Sequence, residues 1–190
     1  MHRALMLAIA AFVIVVDQYT KYEAIVHLAP RPEVYGHPYP LYVPVIENFF
    51  HLTYAENRGA AFSFMHEHPW VILLIASVMI IGIIIWAFRL PTRNYWVQSA
   101  FGLIIGGAVG NLIDRGRLGF VVDFLDVFII RNGQRHTWPT FNVADIAIVV
   151  GIGLFMYLTA FTTLLDSPKK PAPASNDATD TPQETDTPES

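Results

Sequence analysis

The fold is decided by residues 106–151. This stretch contains three segments, GGAVGNLIDR (Gly106–Arg115), FVVDF (Phe120–Phe124) and FNVADIAIVVG (Phe141–Gly151). Asp114 closes one apolar run, Asp145 stands at the start of another, and Asp123 lies between them. Carboxylates beside segments that seek hydrocarbon are energetically costly and usually mark function. The stretch therefore predicts two membrane-spanning helices whose facing ends carry a group of acids.

Composition places the chain among membrane proteins. Of its 190 residues 53% are hydrophobic and only 15% are charged, whereas soluble domains carry about 25% charged residues. The net charge is −4, and no basic stripe exists that would bind nucleic acid. The chain has no cysteine, which excludes disulfides, thiolate metal sites and a cysteine nucleophile.

The apolar segments predict a membrane α-helical fold with four transmembrane helices, a small extracytoplasmic β element and a short interfacial segment. A bilayer crossing takes about 20 residues, and we expect crossings at residues 4–22, 70–88, 95–113 and 143–165. The first run ends in DQYTK, without the small-residue cleavage site of a secretory signal, so a retained helix is favoured. We expect one membrane domain over residues 1–166 and a disordered acidic cytoplasmic tail over residues 167–190.

Four crossings put both termini on one side of the membrane. The short link between the second and third helices carries Arg89 and Arg93 and no acid, which predicts that this side is cytoplasmic. Seven of the twelve basic residues would then lie outside, but longer translocated stretches obey the charge rule poorly. In this topology Asp17, Asp114, Asp123 and Asp145 all lie at the outer membrane face.

The two outer segments are expected to carry short β or interfacial elements. Residues 49–54 and 60–64 lean towards β structure on either side of Asn57-Arg58-Gly59, which predicts a small antiparallel element with a turn. The second outer segment is expected to form a short helix or strand over residues 121–130. Glycines recur at four-residue spacing, which predicts close helix packing at Gly102, Gly106 and Gly110.

Two carboxylates held close in a partly dry site share a proton, which suits general acid/base hydrolysis. Three of the four acids also have a clear structural interpretation. Asp17 precedes Lys21 by four residues, Asp114 precedes Arg115, and Asp145 follows a plausible N-cap, Asn142. Asp123 has no cation three or four residues away and is the better catalytic candidate, although the residues alone leave Asp114 or Asp123 as the partner of Asp145.

Two other classes of function fit the acids less well. A proton-coupled transporter would step its acids across the bilayer, whereas these are expected at one face. A non-catalytic assembly factor would use them as ion pairs and would tolerate Asp→Asn. His66-Glu67-His68 could suggest a metal, but its spacing and loop setting favour a structural interpretation.

Five motifs in order resemble the lipoprotein signal peptidase (signal peptidase II) family over residues 4–165. They are DQYTK (Asp17–Lys21), ENRGAAFSF (Glu56–Phe64), GGAVGNLIDR, GFVVDF (Gly119–Phe124) and FNVAD (Phe141–Asp145). The resemblance implies a four-helix aspartyl endopeptidase of the bacterial inner membrane. Such an enzyme removes the signal peptide from prolipoproteins, cutting before the cysteine that carries diacylglycerol.

The resemblance also assigns the site. It implies Asp123 and Asp145 as the catalytic dyad, with support from Asp17, Asn57, Asn111, Asp114, Arg115 and Asn142. It implies no metal or organic cofactor, inhibition by the cyclic peptide globomycin, cytoplasmic termini and a site at the outer face. We expect a monomer that contacts membrane lipid and no nucleic acid. Residues 30–40 and RNGQRHTW (Arg131–Trp138) are longer than the family pattern.

Overall fold

A computed structural model describes residues 3–30, 41–59, 69–90 and 94–161. Its elements, in chain order, are α1 (Arg3–Leu28), β1 (Val43–Ile46), β2 (Phe50–Asn57), α2 (Pro69–Arg89), α3 (Tyr95–Leu118), β3 (Val121–Arg131), β4 (Gln134–Thr137) and α4 (Val143–Phe161). All four helices are long and apolar enough to cross a membrane. The predicted bundle is therefore confirmed, while residues 162–165 of the fourth predicted crossing lie outside the described residues.

Two helices are longer than the sequence predicted. α1 continues six residues past Tyr22 because Ala24 and Leu28 are buried against the sheet residues Val122 and Phe124. α3 continues to Leu118, where Gly119 ends it with φ 80° and donates its N–H to the carbonyl of Arg115. Asp114 therefore lies inside the last turns of α3, and its predicted place at the helix end is wrong.

A four-stranded antiparallel sheet covers the same end of the bundle, with strand order β1-β2-β3-β4. β2 confirms the strand predicted near residues 49–54, and β3 shows that the element predicted over residues 121–130 as a helix or a strand is a strand. Asp123 consequently lies in a strand, opposite Ala55 of β2. The second predicted strand, residues 60–64, lies outside the described residues.

The β3–β4 hairpin turns at Asn132 and Gly133, which both have positive φ, 52° and 73°. This pair of left-handed residues is the preferred two-residue hairpin turn, and Asn-Gly is its usual sequence. The hairpin accommodates part of the RNGQRHTW stretch at the rim of the sheet. Its end leads through residues 138–142 into α4.

Glycines let α3 lie against α1, as predicted. A Cβ at Gly102 would lie 2.8 Å from the carbonyl oxygen of Met6, and a Cβ at Gly106 would lie 2.8 Å from that of Ala10. On the other side of α3, Gly107 approaches the carbonyl of Ala144 in α4. α3 is thus the central helix, and it holds the N-terminal end of α4 beside the polar part of α1.

Candidate active site

Asp123 is the third residue of β3 and is buried, with 1% of its surface exposed. Asn57, the last residue of β2, donates its side-chain amide to Asp123 Oδ2 at 3.0 Å. Asn142 donates to Asp123 Oδ1 at 2.7 Å. Two amides from different elements therefore fix both oxygens of this carboxylate.

Asp145 lies in the first turn of α4, where the N-terminal backbone N–H groups favour an anion. Asn142 caps the helix: its Oδ1 accepts from the Asp145 N–H at 3.0 Å, and its own N–H donates to Asp145 Oδ2 at 3.2 Å. Asn111 of α3 donates its amide to Asp145 Oδ1 at 2.8 Å. The predicted N-cap is confirmed, and the same residue also contacts Asp123.

Lys21 of α1 lies at the centre of a buried ionic cluster behind the two carboxylates. Its Nζ lies 2.9 Å from Asp17 Oδ2, 2.9 Å from Asp114 Oδ2 and 2.9 Å from Asn111 Oδ1, with 2% of the side chain exposed. Lysine can only donate, so this contact identifies Oδ1 as the acceptor and leaves the amide nitrogen of Asn111 to face Asp145. Lys21 thereby orients a donor to the second carboxylate.

The ion pair predicted between Asp17 and Lys21 is confirmed, whereas the simple pairing of Asp114 with Arg115 is wrong. Asp114 points instead into the bundle and contacts Lys21. Its oxygens also accept from Gln18 Nε2 at 2.8 Å and from the backbone N–H of Val122 at 3.1 Å. Successive residues of a helix point in different directions, so Arg115 does not face the carboxylate of Asp114. Lys21 of α1 does face it.

The same cluster anchors the elements that carry Asp123 and Asp145. Asp114 accepts a hydrogen bond from the backbone N–H of Val122, the residue before Asp123. Asp17 Oδ1 accepts from the N–H of Ala144, the residue before Asp145, at 2.9 Å. Both anchors use buried carboxylates that the cation Lys21 compensates.

Arg115 lies on the side of α3 that faces the site. Its Nη1 donates to the carbonyl of Asn111 at 3.3 Å, and its guanidinium interacts electrostatically with Asp145, Asp123 and Asp114. The structure thus brings together all eight residues that the sequence singled out, from α1, β2, α3, β3 and α4.

Burial raises the pKa of Asp123 from 3.8 to about 6, and the charge of Asp145 acts in the same direction. The hydrogen bonds from Asn57 and Asn142 lower that pKa and only partly offset burial. Asp123 therefore holds a proton in mildly acidic conditions in which an ordinary aspartate would have lost it.

Two cavities open at this site, and they share the residues Pro139 and Thr140. One, of about 350 Å³, is lined by Asp123 together with Ala55, Glu56, Asn57 and Arg58 from the β2 side. The other, of about 440 Å³, is lined by Asp145 together with Trp138, Phe141, Ile146, Val149 and Val150. The first cavity is the more polar of the two and contains the carboxylates of Asp123 and Glu56. The second is mostly apolar and contains the carboxylate of Asp145.

Sequence reasoning missed three parts of this site. It treated Lys21 only as a partner of Asp17, and it did not consider Gln18 or the segment at Pro139 and Thr140. The contacts of Lys21 and Gln18 with α3 depend on helix packing and leave no local pattern. The described ranges contain no cluster of three metal-ligating side chains, and residues 66–68 lie outside them.

Comparison with known proteins gives a consistent result. A family model described as signal peptidase (SPase) II matches residues 9–161. A lipoprotein signal peptidase of Caldanaerobacter subterraneus is 41% identical over 155 residues, covering 82% of this chain and 95% of that protein. One from Brevibacillus brevis is 38% identical over 148 residues, covering 78% of this chain and 89% of that protein.

A solved structure of a bacterial membrane enzyme superposes with a TM-score of 0.69 at 28% identity, covering 83% of this chain and 94% of that one. A second such structure gives a TM-score of 0.65 at 27% identity, covering 88% and 94%. The similarity therefore extends over the helices and the sheet together.

Proposed function

The chain belongs to the signal peptidase II family, and on that premise we propose that Asp123 and Asp145 are the catalytic pair with which it works. The enzyme is a membrane-embedded protease that removes the signal peptide from prolipoproteins. The observation that carries the assignment is the contact of one residue with both carboxylates. Asn142 donates to Asp123 at 2.7 Å and caps the helix turn that holds Asp145.

The two carboxylates differ in a way that suits acid/base hydrolysis. Asp123 is the more deeply buried member, and its raised pKa makes it the proton carrier. Asp145 lies in the first turn of α4, beside backbone N–H groups that carry partial positive charge. We infer that Asp145 takes a proton from water as the oxygen attacks the scissile carbonyl carbon, while Asp123 donates its proton to the carbonyl oxygen. The leaving amine then takes the proton held by Asp145 as the C–N bond breaks, while one hydroxyl of the tetrahedral diol returns a proton to Asp123, so both carboxyl groups recover their starting states.

The supporting residues fall into two groups by their contacts. Asn111, Asp17 and Asp114 contact the pair or its flanking backbone and position it. Asn57 and Arg115 border the site and would bind the carbonyl groups of the substrate, since both carry N–H donors. Asp114 has its oxygens engaged by Lys21, Gln18 and Val122, which supports Asp123 as the partner of Asp145.

Orientation follows from the charges of the sequence. We propose a bacterial inner-membrane protein with both termini in the cytoplasm, because the link after Arg89 is basic and short. The site then lies at the outer face. We also propose that the enzyme acts as a monomer, needs no cofactor and binds globomycin. Residues 1–166 would form the catalytic domain, and the tail at 167–190 lies outside the described residues.

The test uses purified wild type and Asp145→Asn with a diacylglyceryl-modified prolipoprotein and with its unmodified precursor. Wild type should release the signal peptide only from the modified protein, with the cut immediately before the cysteine by mass spectrometry. Asp145→Asn should be folded and inactive, by about 10⁴-fold, since the base is lost. Normal cleavage by a folded Asp145→Asn would overturn the assignment.

A further inference from the structure

The apolar cavity beside Asp145 continues along an open face of α4. Ile146, Val149 and Val150 line the cavity and are 44%, 69% and 52% exposed. Gly153 lies seven residues after Ile146 and therefore on the same helix face, about 10 Å further along the axis. A side chain added to Gly153 would meet no atom within 4 Å in the described part of the chain.

The opposite face of α4 is packed inside the bundle. A Cβ at Gly151 would lie 2.8 Å from the carbonyl oxygen of Ala100 in α3, so that glycine serves helix packing inside the bundle. Gly153 is equally small and has no such neighbour among the described residues. Small residues let a second helix approach closely within a membrane. The open face can therefore bind a helix that does not belong to the described chain.

We propose that this face of α4 binds the apolar segment of the signal peptide as a membrane-embedded helix, with Gly153 as the point of closest approach. The inference rests on the catalytic pair proposed above. Signal peptides carry an apolar segment of about 7–15 residues before the cleavage site. Within hydrocarbon such a segment must be helical, because its backbone groups find no other hydrogen-bond partners.

The two cavities give the bound peptide a direction. The apolar cavity holds Asp145 and leads along α4 into the membrane. The cavity that holds Asp123 also holds Glu56 and Arg58, and burying these charges under an apolar helix is costly. The signal peptide therefore approaches along α4, antiparallel to it in the proposed topology. The scissile bond lies beside Pro139 and Thr140, which line both cavities. The part of the substrate that follows the cleavage site lies on the β2 side.

Two open glycines provide a matched pair of variants. Gly82 of α2 also meets no described atom within 4 Å of an added side chain, but it lies on a different helix, away from the cavities. Gly153→Leu should raise KM for the modified prolipoprotein about tenfold or more with little change in kcat, the pattern of lost substrate binding. Gly82→Leu should leave both constants within about twofold. Equal effects of the two variants would overturn the proposal.

Cross-linking tests the same contact without turnover. Because the chain has no cysteine, Gly153→Cys and Gly82→Cys can each be placed in an Asp145→Asn background and mixed with modified prolipoprotein. The substrate carries one added thiol in its apolar segment, while its own cysteine is blocked by the lipid. A disulfide should form at residue 153 and not at residue 82.

A second substrate with a photoreactive acyl chain distinguishes binding of the acyl chains from binding of the apolar segment of the signal peptide. Labelling of residue 153 by the acyl chain, without a disulfide to the apolar segment, would show that the face holds lipid and would overturn the proposal. Absence of both adducts would do the same. Failure of the wild type to cleave would instead count against the catalytic assignment, and the cross-linking result would stand apart from it.

Discussion

The two halves of the α1–α3 interface are built in opposite ways. In the half that contains Met6 and Ala10, the helices approach until Gly102 and Gly106 nearly contact the facing carbonyl oxygens. In the other half, Asp17 and Lys21 of α1 meet Asp114 of α3 in a buried ionic cluster. One pair of helices thus uses dispersion contacts at one end and charge at the other.

The difference indicates which half serves the reaction. Buried ion pairs contribute little net stability, because desolvation offsets most of their attraction. The apolar half holds the helices together without charge. The ionic half instead reaches the site: Lys21 orients Asn111, which donates to Asp145, and Asp114 holds the backbone next to Asp123. We interpret the cluster as the support that fixes the geometry of the pair.

Among changes outside the catalytic pair, the largest effect is expected for Lys21→Met, which leaves Asp17 and Asp114 buried without their cation. The free energy of unfolding should fall by about 3–5 kcal/mol. Cleavage should fall by about 10²-fold or more, because small displacements of catalytic groups cost that much. The measurements are thermal unfolding in detergent and turnover per folded molecule.

A neutral version of the cluster separates its two roles. The triple variant Asp17→Asn, Lys21→Met, Asp114→Asn removes both uncompensated charges, so most of the lost stability should return. Turnover should stay low, because Asn111 has lost the ammonium group that orients it. Recovery of both quantities together would show that the cluster only stabilises the fold.

A smaller effect is expected for Asn57→Ala, which removes one hydrogen bond to Asp123. In the wild type, kcat/KM should fall as the pH rises through about 6, because Asp123 then loses its proton. The amide of Asn57 stabilises the carboxylate, so its loss should move this fall to higher pH and lower the maximal rate about tenfold. A pH profile that stays in place would contradict the role of Asp123 as proton carrier.

The same pKa predicts a pH dependence of stability. The folded protein keeps the Asp123 proton up to about pH 6, whereas the unfolded chain loses it near 3.8. The stabilisation from this group is therefore complete below pH 3.8 and is lost as the pH rises through 6. Relative to Asp123→Asn, the wild type should lose on the order of 2 kcal/mol over this range, measured by thermal unfolding at each pH.

The smallest effect on cleavage is expected in the apolar half. Gly102→Ala places a methyl group 2.8 Å from the Met6 carbonyl oxygen, so the helices must separate slightly. Stability should fall by about 1–3 kcal/mol, while turnover per folded molecule should stay within about twofold of the wild type. A loss of turnover as large as that of Lys21→Met would erase the distinction between the two halves.

The features that could be predicted from the sequence are those that local residue patterns encode. Long apolar runs set the four helices, the glycine spacing sets the apolar half of the interface, and Asn142 is recognisable as a helix cap. The Asn132-Gly133 hairpin was open to the same reasoning but was not predicted. The bonds of Lys21 to Asn111 and Asp114 join residues about 90 positions apart in sequence. They depend on how α1 and α3 are rotated, which no local pattern records.

The central claim is that Asp123, and not Asp114, works with Asp145. The direct measurement is the single-turnover cleavage rate of Asp123→Asn and of Asp114→Asn on modified prolipoprotein, with folding of each variant checked by thermal unfolding. We predict that folded Asp123→Asn loses about 10⁴-fold. Asp114→Asn should unfold at a lower temperature yet cleave at least about tenfold faster than Asp123→Asn. Normal cleavage by Asp123→Asn together with a dead, folded Asp114→Asn would contradict the assignment.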